Sequence, residues 1–336
     1  MDCNKTDNSI DFVLLWVNGD DPDWLEQFNL YAHHLDGDKR KCRFRDWDLL
    51  RYIFRAFEEY TPWVRRVHFV TWGHLPSWLN IAHTKLNIVK HSDFLDESIL
   101  PVFSCNPIEI NLHKIPGLAE KFVYFNDDMF ILKAMSSAKF FKAGLPRDIM
   151  ALDVISDSPI AHIKINDIQV IQRHFNKMSV VRHNFFKIFN HKYRFREIVK
   201  TLLLSPWPAI TGFFDQHQPQ PFLKSTYSEV WQKESSVLQR TAGSKIRSCN
   251  DVNQYLFRYW QLCKGSFYPA SYSRYYSNLL SGYDDAAIFN RKIVSGKYEM
   301  VCINDNIADD KIFSQCREMI DKAFRQILPS KSSFEV

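Results

Sequence analysis

The chain has 336 residues, of which 46% are hydrophobic and 24% are charged, a composition typical of globular proteins and not of disordered ones. This length allows one large domain or two ordinary domains. The formal net charge of +5 is too small to indicate a nucleic-acid partner by itself. The sequence has no run of about 18 apolar residues, so we expect no membrane-spanning helix. The seven cysteines are scattered without a CxxC pair, which argues against a disulfide framework or a zinc ribbon.

The N-terminal segment does not have the pattern of a secretory signal peptide. It contains acidic residues, and its apolar run covers only residues 12–17, which is shorter than the apolar region of such peptides. We therefore expect the protein to remain in the cytoplasm.

Short apolar runs alternate with helix-like segments through the first half of the chain. The runs predict strands over residues 10–17, 67–72, 85–90, 121–125 and 149–155. Apolar residues at helical spacing predict a helix over residues 46–60. Strands separated by helices favour an α/β fold whose sheet is covered on both faces, and ligands bind such sheets at the carboxyl ends of the strands.

Residues 177–200 are rich in basic and aromatic side chains and predict a helical insertion or lid. Such a segment would suit an anionic bilayer surface or a lipid-linked substrate, and a solvated helix packed by its phenylalanines is the alternative. Further helices are predicted over residues 225–261 and 309–327. The predicted organisation is one domain, with an α/β core of residues 1–155 and 210–336 and an insertion of residues 156–209.

Acidic residues follow two predicted strands at the point where each strand ends. Asn126, Asp127 and Asp128 form the first of these turns. Adjacent carboxylates suit magnesium or manganese, and a solvated turn with a helix cap is the alternative. The second turn covers residues 18–21, where Gly19 would let a phosphate or a ribose approach the backbone closely. An ordinary Asn-Gly turn is the alternative there.

Other polar positions are candidates with equally simple alternatives. Arg45 would clamp a diphosphate, or be exposed next to Asp46 as a helix cap. His217 lies between prolines in an irregular stretch and would suit general-base work, or be a surface histidine. Asp251 would cap the helix that follows it. Residues 304–305 form one more short acidic strand end.

Four blocks of the chain carry a resemblance to a known family. They are IDFV through WVNGDD at residues 10–21, RFRD through NDD at residues 43–128, HQP through Arg247 and Asp251 at residues 217–251, and CIND with PSKSSFE at residues 302–335. In this order they resemble the Stealth family of sugar-phosphate transferases. That family includes bacterial capsule and cell-wall polysaccharide enzymes and the catalytic subunit of the GlcNAc-1-phosphotransferase that tags lysosomal enzymes.

The resemblance implies a Rossmann-like, glycosyltransferase-type nucleotide-binding sheet with a helical insertion. It also implies that a UDP-hexose or UDP-N-acetylhexosamine donates sugar-1-phosphate with Mg²⁺ or Mn²⁺ as cofactor. An acceptor hydroxyl would attack the phosphorus that bears the sugar, so that UMP leaves and a phosphodiester forms. The acceptor would be a growing glycan on a lipid carrier, which places the enzyme at the inner membrane face without spanning it.

The resemblance further assigns roles to the matched positions. His217 would take the proton of the acceptor hydroxyl, and Asp251 would hold Arg247 or hydrogen-bond the donor. It assigns catalytic roles to His217, Asp127 and Asp21. It assigns metal ligation to Asp127 and Asp128. Substrate-binding roles fall on Asn18, Gly19, Arg45, Asp46, Arg51, Arg247, Asp251, Asn304 and Asp305.

Two other functions remain open from the sequence. An ordinary metal-dependent glycosyltransferase would use the same acidic turn, but its acceptor attacks the anomeric carbon and UDP leaves. A carbohydrate- or lipid-binding module without catalysis would use the aromatic side chains and the basic segment.

Overall fold

The computed structural model describes residues 9–35 and 37–336. The strands are β1 (Ile10–Leu15), β2 (Arg66–Thr71), β3 (Leu86–Lys90), β4 (Lys121–Asn126), β5 (Met129–Ile131), β6 (Phe141–Lys142), β7 (Leu145–Asp148), β8 (Gln220–Leu223), β9 (Tyr268–Pro269), β10 (Tyr275–Leu280) and β11 (Met300–Asp305). The α-helices are α1 (Pro22–Ala32), α2 (Leu50–Tyr60), α3 (Cys105–Glu109), α4 (Ala161–His174), α5 (Lys177–His183), α6 (Phe185–Ile188), α7 (Phe195–Leu204), α8 (Lys224–Lys233), α9 (Ser235–Ala242), α10 (Gln254–Lys264), α11 (Tyr283–Val294) and α12 (Asp310–Ile327).

A five-stranded sheet with the order β3-β2-β1-β4-β8 forms the centre of the fold. Strands β1 to β4 run parallel, and β8 joins β4 in the antiparallel direction. Smaller sheets have the orders β10-β11-β5 and β6-β7-β9. The predicted α/β fold with a Rossmann-like parallel sheet is therefore confirmed.

Strand β1 shows why the sheet is covered on both faces. All six of its residues are buried, and successive side chains of a strand point to opposite faces. Phe12 and Leu14 join the hydrophobic cluster that includes α2 and α12. Val13 and Leu15 join the other large cluster, which includes α8 and α10. A central strand without polar alternation is typical of a parallel sheet buried between helices.

Two sheets meet at the turn between β4 and β5. This turn consists of Asp127 and Asp128, and the Ile303 amide donates a hydrogen bond to the Asp128 carbonyl oxygen over 2.9 Å. The carboxyl end of β11 therefore lies beside the carboxyl end of β4. The topology thus brings residues from opposite ends of the chain to one edge.

Two predicted elements differ from the structure. The predicted strand over residues 149–155 is wrong, because only Leu152 forms an isolated bridge there, with Phe213. The amides of Met150 and Leu152 donate to side chains instead, namely to Tyr193 Oη and Thr201 Oγ1. The helix predicted from residue 46 begins at Leu50, because Asp48 has a φ of 55° outside the helical region.

The predicted helical character of residues 177–200 is confirmed by α5, α6 and α7. The preceding α4 buries Ile168, Val170 and Ile171 in the same cluster as α10. The boundaries of the insertion stay a prediction. The helical region predicted over residues 225–261 is divided into α8, α9 and α10, and an irregular segment over residues 243–253 interrupts it.

None of the helices in the described ranges is long and apolar enough to cross a membrane. The six cysteines that fall within those ranges are free thiols. The seventh, Cys3, lies outside the described residues.

Candidate active site

The carboxyl ends of β1, β4 and β11 open into a cavity of about 630 Å³. This volume lies within the range of ~300–1,000 Å³ that is usual for small-molecule sites. The sequence-predicted residues that line the cavity are Arg45, Asp46, Asp127, Asp128, His217, Arg247, Asn304 and Asp305. Most of the predicted site residues therefore line the same cavity.

Three carboxylates form an acidic cluster in the wall of this cavity. Burial raises the pKa of Asp127 well above its usual range, and the nearby carboxylates of Asp128 and Asp46 raise it further. Burial also raises the pKa of Asp46. Asp128 Oδ1 is buried and has no hydrogen-bond partner among the described residues. Crowded carboxylates with an unpartnered oxygen fit a divalent cation with hard oxygen ligands, such as Mg²⁺ or Mn²⁺.

Cys302 lies beside the acidic cluster. One potential ligand atom comes from each of Cys302, Asp128 and His217, and these atoms lie within 4.8 Å of one another. Burial raises the pKa of the Cys302 thiol well above its usual value, and Asp128 raises it further. Because a thiol must lose its proton to bind a metal well, this environment disfavours a soft-metal site. The donors that remain are the carboxylate oxygens of the acidic cluster and the ring of His217.

His217 is held by an amide on each side of its ring. Its Nδ1 lies 2.6 Å from Asn304 Oδ1, while Asn304 Nδ2 donates to Ser277 Oγ. Asn304 Oδ1 can only accept, so Nδ1 carries a proton. On the other side, Asn126 Nδ2 lies 3.2 Å from Nε2, so Nε2 is the basic nitrogen. Asp128 Oδ2 is 3.7 Å from Nδ1.

A polar chain of side chains fixes the orientation of Asn126. The Tyr124 hydroxyl contacts Asn126 Oδ1 and lies 2.7 Å from Glu109 Oε1. The tyrosine thus holds the amide oxygen, and the amide nitrogen faces His217. Glu109 is buried, also lines the cavity and was missed as a site residue, although it falls within the second block of the resemblance.

Arg247 reaches the cavity from the irregular segment between α9 and α10. Its Nη2 lies 3.2 Å from Cys105 Sγ, and burial raises the pKa of that thiol to about 12, so the sulfur carries no charge at neutral pH. Asp251 does not line the cavity and is only 1% exposed. It accepts hydrogen bonds from Asn106 Nδ2 and Ser244 Oγ over 2.9 and 2.7 Å. Asp251 therefore holds the segment that presents Arg247.

Arg45 is engaged within the protein. Its guanidinium contacts both carboxylate oxygens of Asp305 over 2.7 and 2.9 Å, and it stacks on Phe313 with 3.7 Å to the ring centroid. The Gly19 amide donates to the Phe44 carbonyl oxygen, and a Cβ at this glycine would lie only 2.3 Å from that oxygen. The first contact fixes the segment that carries Arg45 against the end of β11, and the second fixes it against the turn after β1. The assigned substrate-binding roles of Arg45, Gly19 and Asp305 stay predictions.

A second cavity of about 340 Å³ adjoins the first. The two cavities share Trp16, Asp46 and Leu50 in their walls. The sequence-predicted residues that line the second one are Asn18, Asp21 and Arg51, together with Asp46. Asp21 therefore lines a different cavity from Asp127 and Asp128, and its catalytic role stays a prediction.

His74 lies in the second cavity and was missed from the sequence. Its Nε2 accepts a hydrogen bond from the Asn18 amide over 2.8 Å, so Nδ1 carries the proton of the neutral ring. Its side chain is 9% exposed, and burial lowers its pKa. Asp21 Oδ2 is 3.9 Å from Nδ1, while Asp21 Oδ1 caps α1 at the Trp24 amide. The available signal was the position of His74 just after β2, next to the end of β1.

Comparisons with known proteins identify the family of the chain. The family model described as Stealth protein CR1, conserved region 1, matches residues 8–35, and Stealth protein CR2, conserved region 2, matches residues 43–148. The chain is 36% identical to the capsular polysaccharide phosphotransferase WcwK of Streptococcus pneumoniae over 340 residues, which covers 98% of this chain and 99% of that protein. It is 39% identical to the receptor polysaccharide phosphotransferase WefC of Streptococcus gordonii over 336 residues, covering 97% and 99%.

Among solved structures, the chain is similar to the galactosyltransferase LgtC determined with donor and acceptor sugar analogs. The TM-score is 0.44 at 9% identity, and the match covers 96% of each chain.

Proposed function

Because the chain belongs to the Stealth family and is a phosphotransferase, we propose that it transfers sugar-1-phosphate from a UDP-sugar to a hydroxyl of an acceptor glycan. UMP leaves, and the product is a phosphodiester-linked sugar in a capsular or other cell-surface polysaccharide. The observation that carries this proposal is that Arg247, His217 and the acidic cluster all line one cavity. Polysaccharide synthesis is supported by the names of the relatives.

The donor diphosphate has complementary groups on the cavity wall. Arg247 would bind its oxygens through charge-assisted hydrogen bonds, for which a planar guanidinium is well suited. Asp127 and Asp128, with Asp46 beside them, would hold Mg²⁺ or Mn²⁺, and that cation would supply positive charge to the diphosphate and the departing UMP. Phosphoryl transfer depends mainly on such positioning and charge neutralisation.

His217 would act as the general base. The acceptor hydroxyl would take the place of the Asn126 amide beside Nε2 and pass its proton to that nitrogen while its oxygen attacks the phosphorus that bears the sugar. The hydrogen bond from Nδ1 to Asn304 keeps the ring oriented. Asp128 Oδ2 near Nδ1 stabilises the imidazolium that forms.

The remaining predicted groups would orient the substrates. Asn18, Asp21 and Arg51 in the second cavity would position the sugar or the nucleotide. The acceptor would be a growing glycan on a lipid carrier, and the enzyme would work at the cytoplasmic face of the membrane.

The test is to identify the nucleotide that is released. Purified protein is incubated with Mg²⁺ or Mn²⁺, a panel of UDP-sugars labelled in the β-phosphorus and a lipid-linked or oligosaccharide acceptor. We expect UMP in solution and labelled phosphorus in the glycan, both lost in the variants Asp128→Asn and His217→Gln. Asp20→Asn is the matched control, because Asp20 is exposed in the other acidic turn and outside both cavities. Release of UDP with no label in the glycan would show glycosyl transfer and overturn the proposal.

A further inference from the structure

The helices α5, α6 and α7 and the residues just after them turn large apolar side chains toward solvent. Phe186 is 84% exposed, Phe195 is 81% exposed and Leu203 is 74% exposed. The full set, which we call the outer face, consists of Met178, Phe185, Phe186, Phe195, Leu202, Leu203 and Trp207. Single exposed apolar residues are normal, but a concentration of this kind marks an interaction surface.

The apolar stripe of α7 points away from the protein. Phe195, Leu202 and Leu203 are spaced by seven and eight residues, which places them on one side of a helix. The buried residues of α7 are Glu197 and Thr201. A surface helix usually shows the reverse, with its apolar stripe toward the core and its polar side in water.

The outer face is attached firmly to the body of the protein. Thr201 Oγ1 accepts a hydrogen bond from the Leu152 amide over 3.0 Å. Lys177 Nζ donates to the carbonyl oxygens of Leu204 and Trp207, each over 2.6 Å, so the start of α5 lies against the end of α7. The exposed apolar side chains are therefore presented by helices that are packed in place.

The same segment carries the positive charge of the chain. Residues 177–207 contain seven basic residues and one acidic residue, a net charge of +6, so the rest of the chain has a net charge of −1. The acidic residue is Glu197, which is buried. Arg182, Arg194 and Arg196 are exposed and form no ion pair or side-chain hydrogen bond within the part of the chain that the structure describes. Three unpaired guanidinium groups are therefore carried by the same segment as the apolar side chains.

We propose that the outer face binds the surface of a bilayer that contains anionic phospholipids. The apolar side chains would enter the boundary between headgroups and acyl chains, and the arginines would contact the anionic headgroups. Charge complementarity favours this partner over a second copy of the chain, since two outer faces would bring like charges together. The role of this binding in catalysis rests on the proposed function, because it assumes a lipid-linked acceptor.

The first part of the same insertion leads to the main cavity. Ser158, Pro159, Ile160 and Lys164 line that cavity at the start of α4. When the outer face is docked on a bilayer, one insertion would therefore both contact the membrane and form part of the cavity wall. This arrangement would deliver a lipid-linked acceptor to the cavity without a spanning helix.

The test is flotation of the purified protein with vesicles. Vesicles of phosphatidylcholine alone are compared with vesicles that contain about one third phosphatidylglycerol, whose headgroups give the surface a negative potential. We expect binding to the anionic vesicles that weakens with salt. Each arginine near such a surface contributes about fivefold in affinity, so R182Q/R194Q/R196Q should lose about 100-fold. The apolar variant F195S/L203S should also lose binding.

Matched controls come from exposed residues elsewhere. Leu30 and Ile81 are exposed by 66% and 65%, so L30S/I81S removes similar apolar area outside the outer face. Lys90, Lys233 and Lys311 are exposed basic residues, and K90Q/K233Q/K311Q removes the same number of charges. We expect both control variants to float like the wild type.

Three outcomes would overturn the inference. The first is that the wild type does not bind anionic vesicles, and the second is that the outer-face variants bind them as well as the wild type. The third is that the wild type is a dimer in analytical ultracentrifugation and F195S/L203S is a monomer. Turnover separates the two proposals: outer-face variants should keep UMP release with a soluble oligosaccharide and lose it only with a lipid-linked acceptor. Vesicle binding by a protein that releases no UMP would support this inference and contradict the proposed function alone.

Discussion

Replacing Asp127 by asparagine should stabilise the protein when divalent cations are removed. Burial and the carboxylates of Asp128 and Asp46 all raise the pKa of Asp127, so its charged form is unfavourable in the native state. The variant Asp127→Asn keeps the shape of the side chain and removes that charge. An uncompensated buried polar or charged group costs about 1–3 kcal/mol. At ~2 °C per kcal/mol for a chain of this size, the midpoint of thermal unfolding should rise by about 2–6 °C.

The pH dependence of the free energy of unfolding also shows that Asp127→Asn should be the more stable protein. A carboxyl group whose pKa is raised in the native state binds its proton more tightly there than in the unfolded chain. Its contribution is therefore fully present below the unfolded pKa of about 3.8 and is lost as the pH rises through the raised native value. In EDTA, the stability advantage of Asp127→Asn over the wild type should grow from acidic to neutral pH.

Thermal unfolding is measured for both proteins in EDTA and in excess Mg²⁺ or Mn²⁺. A cation that binds only the native state stabilises it by about 2.7 kcal/mol at 100 times its Kd. The wild type should gain this stabilisation, whereas Asp127→Asn should gain much less. Asp20→Asn, in the exposed control turn, should follow the wild type. The argument would be refuted if Asp127→Asn were less stable than the wild type in EDTA. It would also be refuted if neither cation stabilised the wild type.

Other substitutions test the remaining parts of the site. His217→Gln should lower kcat by ~10²–10⁴, the usual contribution of a general base, with an unchanged Kd for the UDP-sugar in calorimetry. Arg247→Lys should raise the KM for the donor about tenfold, because lysine lacks the paired donors of guanidinium. Asp251→Ala should reduce the free energy of unfolding in urea by about 1–3 kcal/mol, since the polar groups bonded to Asp251 lose a buried acceptor. Gly19→Ala should cost about 1–3 kcal/mol in the same assay, because its Cβ would lie 2.3 Å from the Phe44 carbonyl oxygen.

The parallel sheet and the edge that holds the site were predictable from local patterns. The apolar runs before Asn18 and Asn126 gave strands β1 and β4, and the carboxyl ends of parallel strands lie at one edge of a sheet. The failed strand at residues 149–155 had a similar apolar pattern. Its amides are occupied by Tyr193 and Thr201 of the insertion, and these tertiary contacts leave no local signal.

Pairings between distant segments were beyond sequence reasoning. Arg45 and Asp305 are separated by 260 positions, and nothing in either segment indicates that they neutralise each other. His74 follows a strand in a stretch without an acidic neighbour in sequence, and its partner Asn18 precedes it by 56 positions. A single sequence indicates which residue types are able to do chemistry, while the fold decides which of them face the same space.

The residues matched to the Stealth family therefore divide into two groups by what they contact. Asp127, Asp128 and His217 line the cavity, and Asp128 Oδ1 has no hydrogen-bond partner among the described residues. Asp251 and Gly19 are occupied by contacts within the protein, and each fixes a segment that carries a cavity residue. Under the proposed function, displacing Arg247 through its supporting loop would harm donor binding, as removing its charge would. To assign each matched position to one of these groups, the free energy of unfolding and the turnover of each variant must both be measured.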